Sequence, residues 1–560
     1  MDYRAHWRGR ERYTVFDAAS NEAGVAALID AWRADSQRPP HLHVIALAKG
    51  LLPGFHRIPQ LDPGVTVDLL AGPLDAVLGQ LVARLDLIRL HGAAIAGSQF
   101  ARPLARLAAA GALIEASNLD AAQVEALAAQ GFMFTPPSAE LLQGVFASRK
   151  PRLPTPPAPQ RRAIVIGAGL AGSSAAERLC ARGWQVTLVE RHSRPAMEAS
   201  GNRAGIFMPL LSMDDNIPTR LTRAAYLFAL RHWARLGGIG SAIEGAACGV
   251  LQLARDGGHA AVQREIARLK RYPPEFAEWL ESGPAEALLG LPAPDGGWLF
   301  RQGGWARPAS LCEAMLLACG PALERRFGVG SVTLERSGDG WRVLDAGGAM
   351  LAEAPNVVLA CGAGAAAFPQ AASLPLAAVR GQVTHLDAAA LPRLPLVLCR
   401  EAYLTPAADG VASAGATYDL DADPALRAAS QRENIDRLRA LLADPGAAAG
   451  APLAGRVGFR SVAPDRLPLV GRLPDFGAAG ATERLRDVPR HPGLYSLLGY
   501  ASRGLIWAPL AAELLAAGIE GEPLPLEAAL ADALDPARFV LRARRTSRGP
   551  KIDAGNDITG

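Results

Sequence analysis

The chain of 560 residues is half hydrophobic, low in aromatics at 6%, and carries 58 basic against 54 acidic side chains, a net charge of +4. This length leaves room for roughly two to four domains with their own cores and the composition suits an α/β protein, while so small a charge neither demands nor excludes a nucleic-acid partner. The six cysteines, Cys180, Cys248, Cys312, Cys319, Cys361 and Cys399, show neither CxxC spacing nor clustering, which points to reduced thiols and away from a disulfide framework or a metal centre.

Met1–Arg12 is polar and arginine-rich with no apolar run behind it, so no secretory signal is expected and the protein reads as cytoplasmic. Apolar patterning then predicts strands at Tyr13–Phe16, His43–Leu47, Val65–Leu69, Leu85–Leu90 and Ala112–Ala116, with helices over Val25–Trp32 and Ala101–Ala110. That alternation predicts a doubly wound α/β unit over residues 1–150. Residues 151–160 hold five prolines. Such a segment enters neither a helix nor a central strand and reads as an extended linker.

The run Ala163-Ile164-Val165-Ile166 leads into Gly167-Ala168-Gly169-Leu170-Ala171-Gly172, and Glu190 closes the next strand pattern, Val186–Val189. Gly167 permits the tight turn, Gly169 lets backbone approach a pyrophosphate, and Gly172 lets the helix pack on the strand. The helix N-terminus offers N–H groups and a positive dipole end, and Glu190 stands where an adenosine ribose needs an acceptor. A chance glycine-rich turn would not bring strand, helix and acid into register. The fingerprint alone fits either NAD or FAD.

Asn356–Val379 is uncharged throughout, but Pro369, Gln370 and Pro375 interrupt it, so a buried strand followed by a loop is predicted and no membrane span. Within it Val357–Ala360 enters the small-residue turn Cys361-Gly362-Ala363-Gly364. The long interval between this strand and the fingerprint predicts an inserted substrate domain. Residues 542–560, arginine-rich and then polar, are expected to form a disordered tail. Arg4, Arg8, Arg10 and Arg12 at one end, with Arg542, Arg544, Arg545, Arg548 and Lys551 at the other, either meet RNA phosphates or are solvated charge.

Further blocks follow in a fixed order: Gly381-Gln382-Val383-Thr384-His385, Tyr403-Leu404-Thr405-Pro406 and Gly415-Ala416-Thr417-Tyr418. Then come Gly458-Phe459-Arg460-Ser461, with Asp465, Pro468 and Gly471 behind it, and Gly499–Leu505. This order resembles the glycine/D-amino-acid oxidase family of flavoproteins over essentially all of residues 161–540. More narrowly, Ala199-Ser200-Gly201-Asn202-Arg203-Ala204-Gly205 followed by Pro209–Ser212 resembles the oxidase half of the bacterial bifunctional tRNA 5-methylaminomethyl-2-thiouridine biosynthesis proteins.

The resemblance implies an FAD-dependent oxidoreductase at residues 161–541, with a Rossmann-type FAD-binding domain and an inserted α+β substrate domain. FAD is expected to be bound non-covalently by Gly167, Gly169, Gly172, Glu190, Gly201, Asn202, Arg203, Gly362, Gly504 and Leu505. The implied reaction removes the carboxymethyl group from 5-carboxymethylaminomethyl-(2-thio)uridine-34 of tRNA and leaves the aminomethyl base. Such a secondary amine needs a cation for its carboxylate, and an arginine fork pairs both oxygens. The family match nominates Arg460, with an Arg460–Asp465 ion pair as the alternative. Arg503 either meets flavin or substrate or simply starts a helix, and Tyr403 and Tyr418 either line the pocket or belong to the core. No metal, no membrane and a monomer are expected. The competing activity is oxidation of free glycine, sarcosine or a D-amino acid. A tRNA-binding flavoprotein without catalysis is a third reading.

In the same family the N-terminal half is an S-adenosylmethionine-dependent methyltransferase that completes the modification. Here its outline survives in Ala31–Asp35, Leu42-His43-Val44, Gly54-Phe55-His56-Arg57 and Gly131-Phe132. The cofactor-binding parts do not. The glycine-rich loop reads Asp17-Ala18-Ala19-Ser20-Asn21-Glu22-Ala23-Gly24, no acid follows His43-Val44-Ile45, and the family's acidic segment reads His91-Gly92-Ala93-Ala94-Ile95. Residues 1–150 are therefore expected to be a degenerate methyltransferase-type domain whose S-adenosylmethionine site is lost. His91, without partners nearby in the sequence, is expected to be neither ligand nor base.

Overall fold

The computed structural model describes residues 3–548 apart from 19–21, 63, 93–94, 136–140, 148–159, 479 and 481. All of the proline-rich linker except Gln160 lies outside the described residues, as do 549–560 of the expected tail and parts of the 17–24 and 91–95 segments.

Short β-rich runs build the first sheet around Arg12–Asp17, which pairs in parallel with His41–Leu47 on one side and Leu85–His91 on the other. Val65–Ala71 and Ala108–Ser117 extend the parallel set outward. Both edges are antiparallel: Gly54–Asp62 at one, Leu141–Phe146 and then Phe132–Phe134 at the other. The chain moves one way from Arg12–Asp17 and later returns on its other side, so a crevice opens where those carboxyl ends diverge. The helix expected to reach Ala110 stops at Leu107, and residues 108–110 begin the next strand with Ala108 and Ala109 buried.

The second sheet places Arg162–Ile166 between Gln185–Glu190 and Asn356–Leu359, all parallel, with Leu323–Phe327 and Arg490–Leu498 continuing outward. Its fingerprint helix Leu170–Cys180 is covered by Gly504–Glu520 and Pro308–Ala318. Between these strands the chain departs to build an eight-stranded sheet that includes Val250–Leu253, Ala377–Asp387, Tyr403–Leu404, Val411–Gly415 and Ala454–Val462. This is the inserted substrate layer that the spacing predicts. Among the described residues no helix is long and apolar enough to cross a membrane, and no group of three or more His, Cys, Asp or Glu side chains is placed to hold a metal.

One expectation is corrected. Residues 542–548, taken as tail, continue the helix Arg538–Arg548. Phe539 and Val540 are buried, and Arg538 and Arg542 both reach Asp465, at 2.9 and 2.5 Å. The apolar pair and the shared carboxylate anchor a segment that its arginine content alone marks as solvated.

The two halves meet through buried charge. Arg57, wholly buried on Gly54–Asp62, donates to Asp68 at 2.8 and 2.7 Å, to Glu513 at 3.0 Å and to the Pro523 carbonyl at 2.6 Å. Glu513, on the helix Gly504–Glu520, also accepts from Arg182 at 2.8 Å, and Arg182 reaches Glu522.

Candidate functional site

A strand–turn–helix cradle forms where the glycine spacing places it. Gly167 has φ +104°, and a Cβ there would come within 2.8 Å of the Ala360 carbonyl. At Gly172 a Cβ would overlap the Gly167 carbonyl, so the helix can sit this close only without a side chain. Glu190 is buried, and its two carboxylate oxygens accept from the N–H groups of Ala168, at 2.7 Å, and His192, at 3.0 Å. The acid thus stands at the end of its strand beside the glycine turn.

A second loop closes over this helix start. Ser200 accepts from the Leu170 N–H at 3.1 Å and faces Gly169, so the Ala199–Gly201 turn caps the helix that Gly169 cannot cap. Arg456 holds the turn by donating to the carbonyls of Met197 and Glu198 and to Asn202 Oδ1 at 3.3 Å. Gly201 and Asn202 therefore border the cradle. Arg203 points elsewhere: it lies 3.8 Å from Asp409 and lines a small cavity with Arg307, Trp305 and Thr405. Gly362 follows the returning strand with φ +59° and faces Ser461, whose buried hydroxyl has no hydrogen-bond partner among the described residues. Gly504 begins the helix Gly504–Glu520 against Leu170, and Leu505 packs on Gly205. Two helix N-termini thus converge beside the glycine turn. An orphaned hydroxyl, open backbone and an acid at the strand end fit a flavin dinucleotide.

Arg460 lies on Ala454–Val462 and spreads its guanidinium over Gly381, where any Cβ would collide with it. It donates to the Thr417 carbonyl at 3.1 Å, and its Cζ sits 4.2 Å from the centre of the Tyr418 ring. The alternative pairing with Asp465 is not made, because that carboxylate is held by Arg538 and Arg542. Tyr403 stands nearby, its hydroxyl pushed up to about 12 by burial, an effect that the charge of Arg460 opposes. Arg503 approaches Tyr418 and Cys399, and its side chain has neither a hydrogen bond nor an ion pair among the described residues. Burial pulls its guanidinium below the usual arginine range.

The structure therefore brings Arg460, Arg503, Tyr403 and Tyr418 together, and leaves Arg203 outside that group. Ser200, Arg456 and Ser461 were missed by sequence reasoning. Ser200 was legible as a hydroxyl among small residues, whereas Arg456 carries no local signal. Arg460 and Arg503 are thus two cations that no carboxylate pairs among the described residues.

At the crevice of the first sheet, Asp17 lies 3.7 Å from Arg89, which also approaches Glu115 at 3.4 Å. His91 meets Ser117 at 3.3 Å, so a side-chain partner accounts for it.

Residues 162–517 match the DAO family of FAD dependent oxidoreductases. Over 97% of its length the chain is 43% identical to the tRNA 5-methylaminomethyl-2-thiouridine biosynthesis bifunctional protein MnmC of Azoarcus sp. (strain BH72), of which it covers 92%. The same name belongs to a protein of Aromatoleum aromaticum that is 42% identical over the same shares of both chains. Among solved structures, glycine oxidase from Geobacillus kaustophilus superposes with a TM-score of 0.55 at 21% identity, covering 67% of this chain and 99% of its own. Iminodiacetate oxidase from Chelativorans sp. BNC1 superposes with a TM-score of 0.53 at 25% identity, covering 65% and 96%.

Proposed function

The chain belongs to the family of tRNA 5-methylaminomethyl-2-thiouridine biosynthesis bifunctional proteins, and from that premise we propose that it removes the carboxymethyl group from 5-carboxymethylaminomethyl-(2-thio)uridine-34 of tRNA. The observation that carries the reading is the pair Arg460 and Arg503, uncompensated by acid and set beside the FAD cradle. Iminodiacetate, the compound named for one structural relative, is itself a secondary amine bearing carboxymethyl groups. Free amino-acid oxidation gives no reason for the first sheet, which relatives along nearly the whole chain support as part of the enzyme.

Bound FAD would supply the two-electron acceptor for the C–H bond beside the amine nitrogen, after which water releases glyoxylate. The chain's own residues position. Arg460 and Arg503 grip the carboxylate, and the fork geometry of a guanidinium fixes the direction of the methylene group. Tyr403, a phenol protonated at neutral pH with or without its burial, can donate a hydrogen bond. Gly167, Gly169, Gly172 and the helix behind them would hold the pyrophosphate, and Glu190 the ribose. We assign no general base, because the oxidation requires none where the amine binds neutral.

FAD is proposed to be non-covalent. Burial pushes the thiols of Cys361 and Cys399 up to about 12, leaving both as poor nucleophiles toward a flavin. Acid precipitation should release the yellow colour to the supernatant. Flavin retained in the pellet would refute this.

The methylation step is proposed to be lost. Only Gly24 survives of the glycines in the 17–24 loop, Lys49 follows the second strand where an acid is needed, and Arg89 engages Asp17 at the crevice. Nucleoside mass spectrometry of tRNA incubated with purified protein should show the aminomethyl base with or without S-adenosylmethionine. Calorimetry should detect no S-adenosylmethionine binding at concentrations on the order of a millimolar. The methylaminomethyl base in that reaction would show a working site. Persistence of the carboxymethylaminomethyl base would defeat the oxidase reading itself.

A further inference from the structure

The segment 416–427 connects the strand Val411–Gly415 to the helix Ala428–Leu442 without regular structure, yet it is held rigidly. Its clasp is Arg380, whose side chain is wholly buried: it donates to the Asp423 carbonyl at 2.8 Å, to the Ala425 carbonyl at 2.6 Å and to Asp419 at 3.0 Å. Gln382 adds a second tie, accepting from the Arg427 N–H at 2.9 Å and donating to its carbonyl at 3.0 Å. Arg437 donates to the Ala416 carbonyl at 3.2 Å.

So firmly fixed a loop nevertheless spends its apolar side chains on solvent. Leu420 is 87% exposed, Tyr418 61% and Leu426 53%. The inner face of Tyr418 rests on Arg460, and its remaining surface is open at the rim of the proposed carboxylate site. The acids of the loop are consumed locally, Asp419 by Arg380, and Asp421 and Asp423 by Arg427. The rim therefore presents a ring and an isobutyl group with their neighbouring charge already paired. A rigid aromatic with an open face at the mouth of a base-modifying site has the form of a stacking platform.

We infer that Tyr418 and Leu420 form the platform on which a nucleobase adjoining the reacting wobble base stacks, so that the enzyme reads an unstacked anticodon loop. This rests on the tRNA activity proposed above. It makes Tyr418 serve twice, fixing Arg460 on one face and the RNA on the other. Leu420 has only the second role.

The test uses the full-length protein and a fluorescein-labelled anticodon stem-loop RNA bearing 5-carboxymethylaminomethyluridine at the wobble position. By fluorescence anisotropy, Tyr418→Leu should weaken binding about 5- to 150-fold, the range of base–aromatic stacking, and Tyr418→Phe should leave it near wild type. Leu420→Asp should also weaken binding, while oxidising the free nucleoside 5-carboxymethylaminomethyluridine at the wild-type rate. Unchanged affinity in both Tyr418→Leu and Leu420→Asp, with the wild-type protein active on tRNA, would overturn this inference alone. A dimer dissociated by Leu420→Asp with RNA affinity intact would also overturn it, by assigning the rim to a second copy. A wild-type protein inactive on the wobble base would overturn both readings.

Discussion

Arg460→Ala should lower kcat/KM for the carboxymethylated substrate on the order of thirty- to several-thousand-fold, because a charge-assisted bidentate contact in a partly desolvated site is worth about 2–5 kcal/mol when truncated. FAD should remain bound, since Arg460 stands on the substrate sheet and the cradle is built from Gly167–Gly172, Glu190 and the Ala199–Gly201 turn. Arg460→Lys separates charge from geometry. It keeps the cation and loses the fork, so recovery should be partial. Anaerobic flavin reduction against substrate concentration is the measurement. Thr417 loses a donor in Arg460→Ala, so thermal unfolding should be followed alongside to exclude a collapsed rim. Near-normal activity would mean that Arg460 only braces Tyr418 and that Arg503 alone holds the carboxylate.

What the sequence disclosed and what it hid follow from the range of each interaction. The cradle was legible because Gly167, Gly169 and Gly172 do their work within one strand–turn–helix, where spacing alone fixes geometry. The grouping of Arg460 with Tyr403 rested on motif order, and only the fold shows that Asp465 is occupied by Arg538, 73 residues further on. The strand Gly54–Asp62 escaped periodicity because His56, Arg57 and Pro59 interrupt its apolar pattern. Arg57 is buried there by partners that no local window contains, the Glu513 contact spanning 456 residues. Residues 542–548 differ from the expected tail for the same reason, since composition records arginines and not the Asp465 carboxylate that receives Arg538 and Arg542.

Arg57→Leu should destabilise the N-terminal half by about 3–5 kcal/mol, the cost of leaving buried charge without its partner. Of its charged partners among the described residues, Asp68 would keep only His43, at 2.8 Å, in a buried site, while Glu513 would retain Arg182 and Arg178. The same loss unties the halves, because the Arg57–Glu513 contact is part of the join. Calorimetry should show the transition of the N-terminal unit fall on the order of 10 °C. The double variant Arg57→Met with Asp68→Leu should recover part of that, since removing both charges deletes the desolvation cost along with the attraction. The pH dependence separates charge from lost packing. Arg57 and His43 hold the Asp68 carboxyl down to about 2 from 3.8, so its contribution is fully present above the ordinary carboxylate value and is lost only as pH falls through about 2. In Arg57→Leu the buried carboxyl should titrate much higher, and stability should begin to fall at a less acid pH than in the wild type. A variant less than about 1 kcal/mol weaker, with an unaltered acid limb, would show that the buried charges do not hold the halves together.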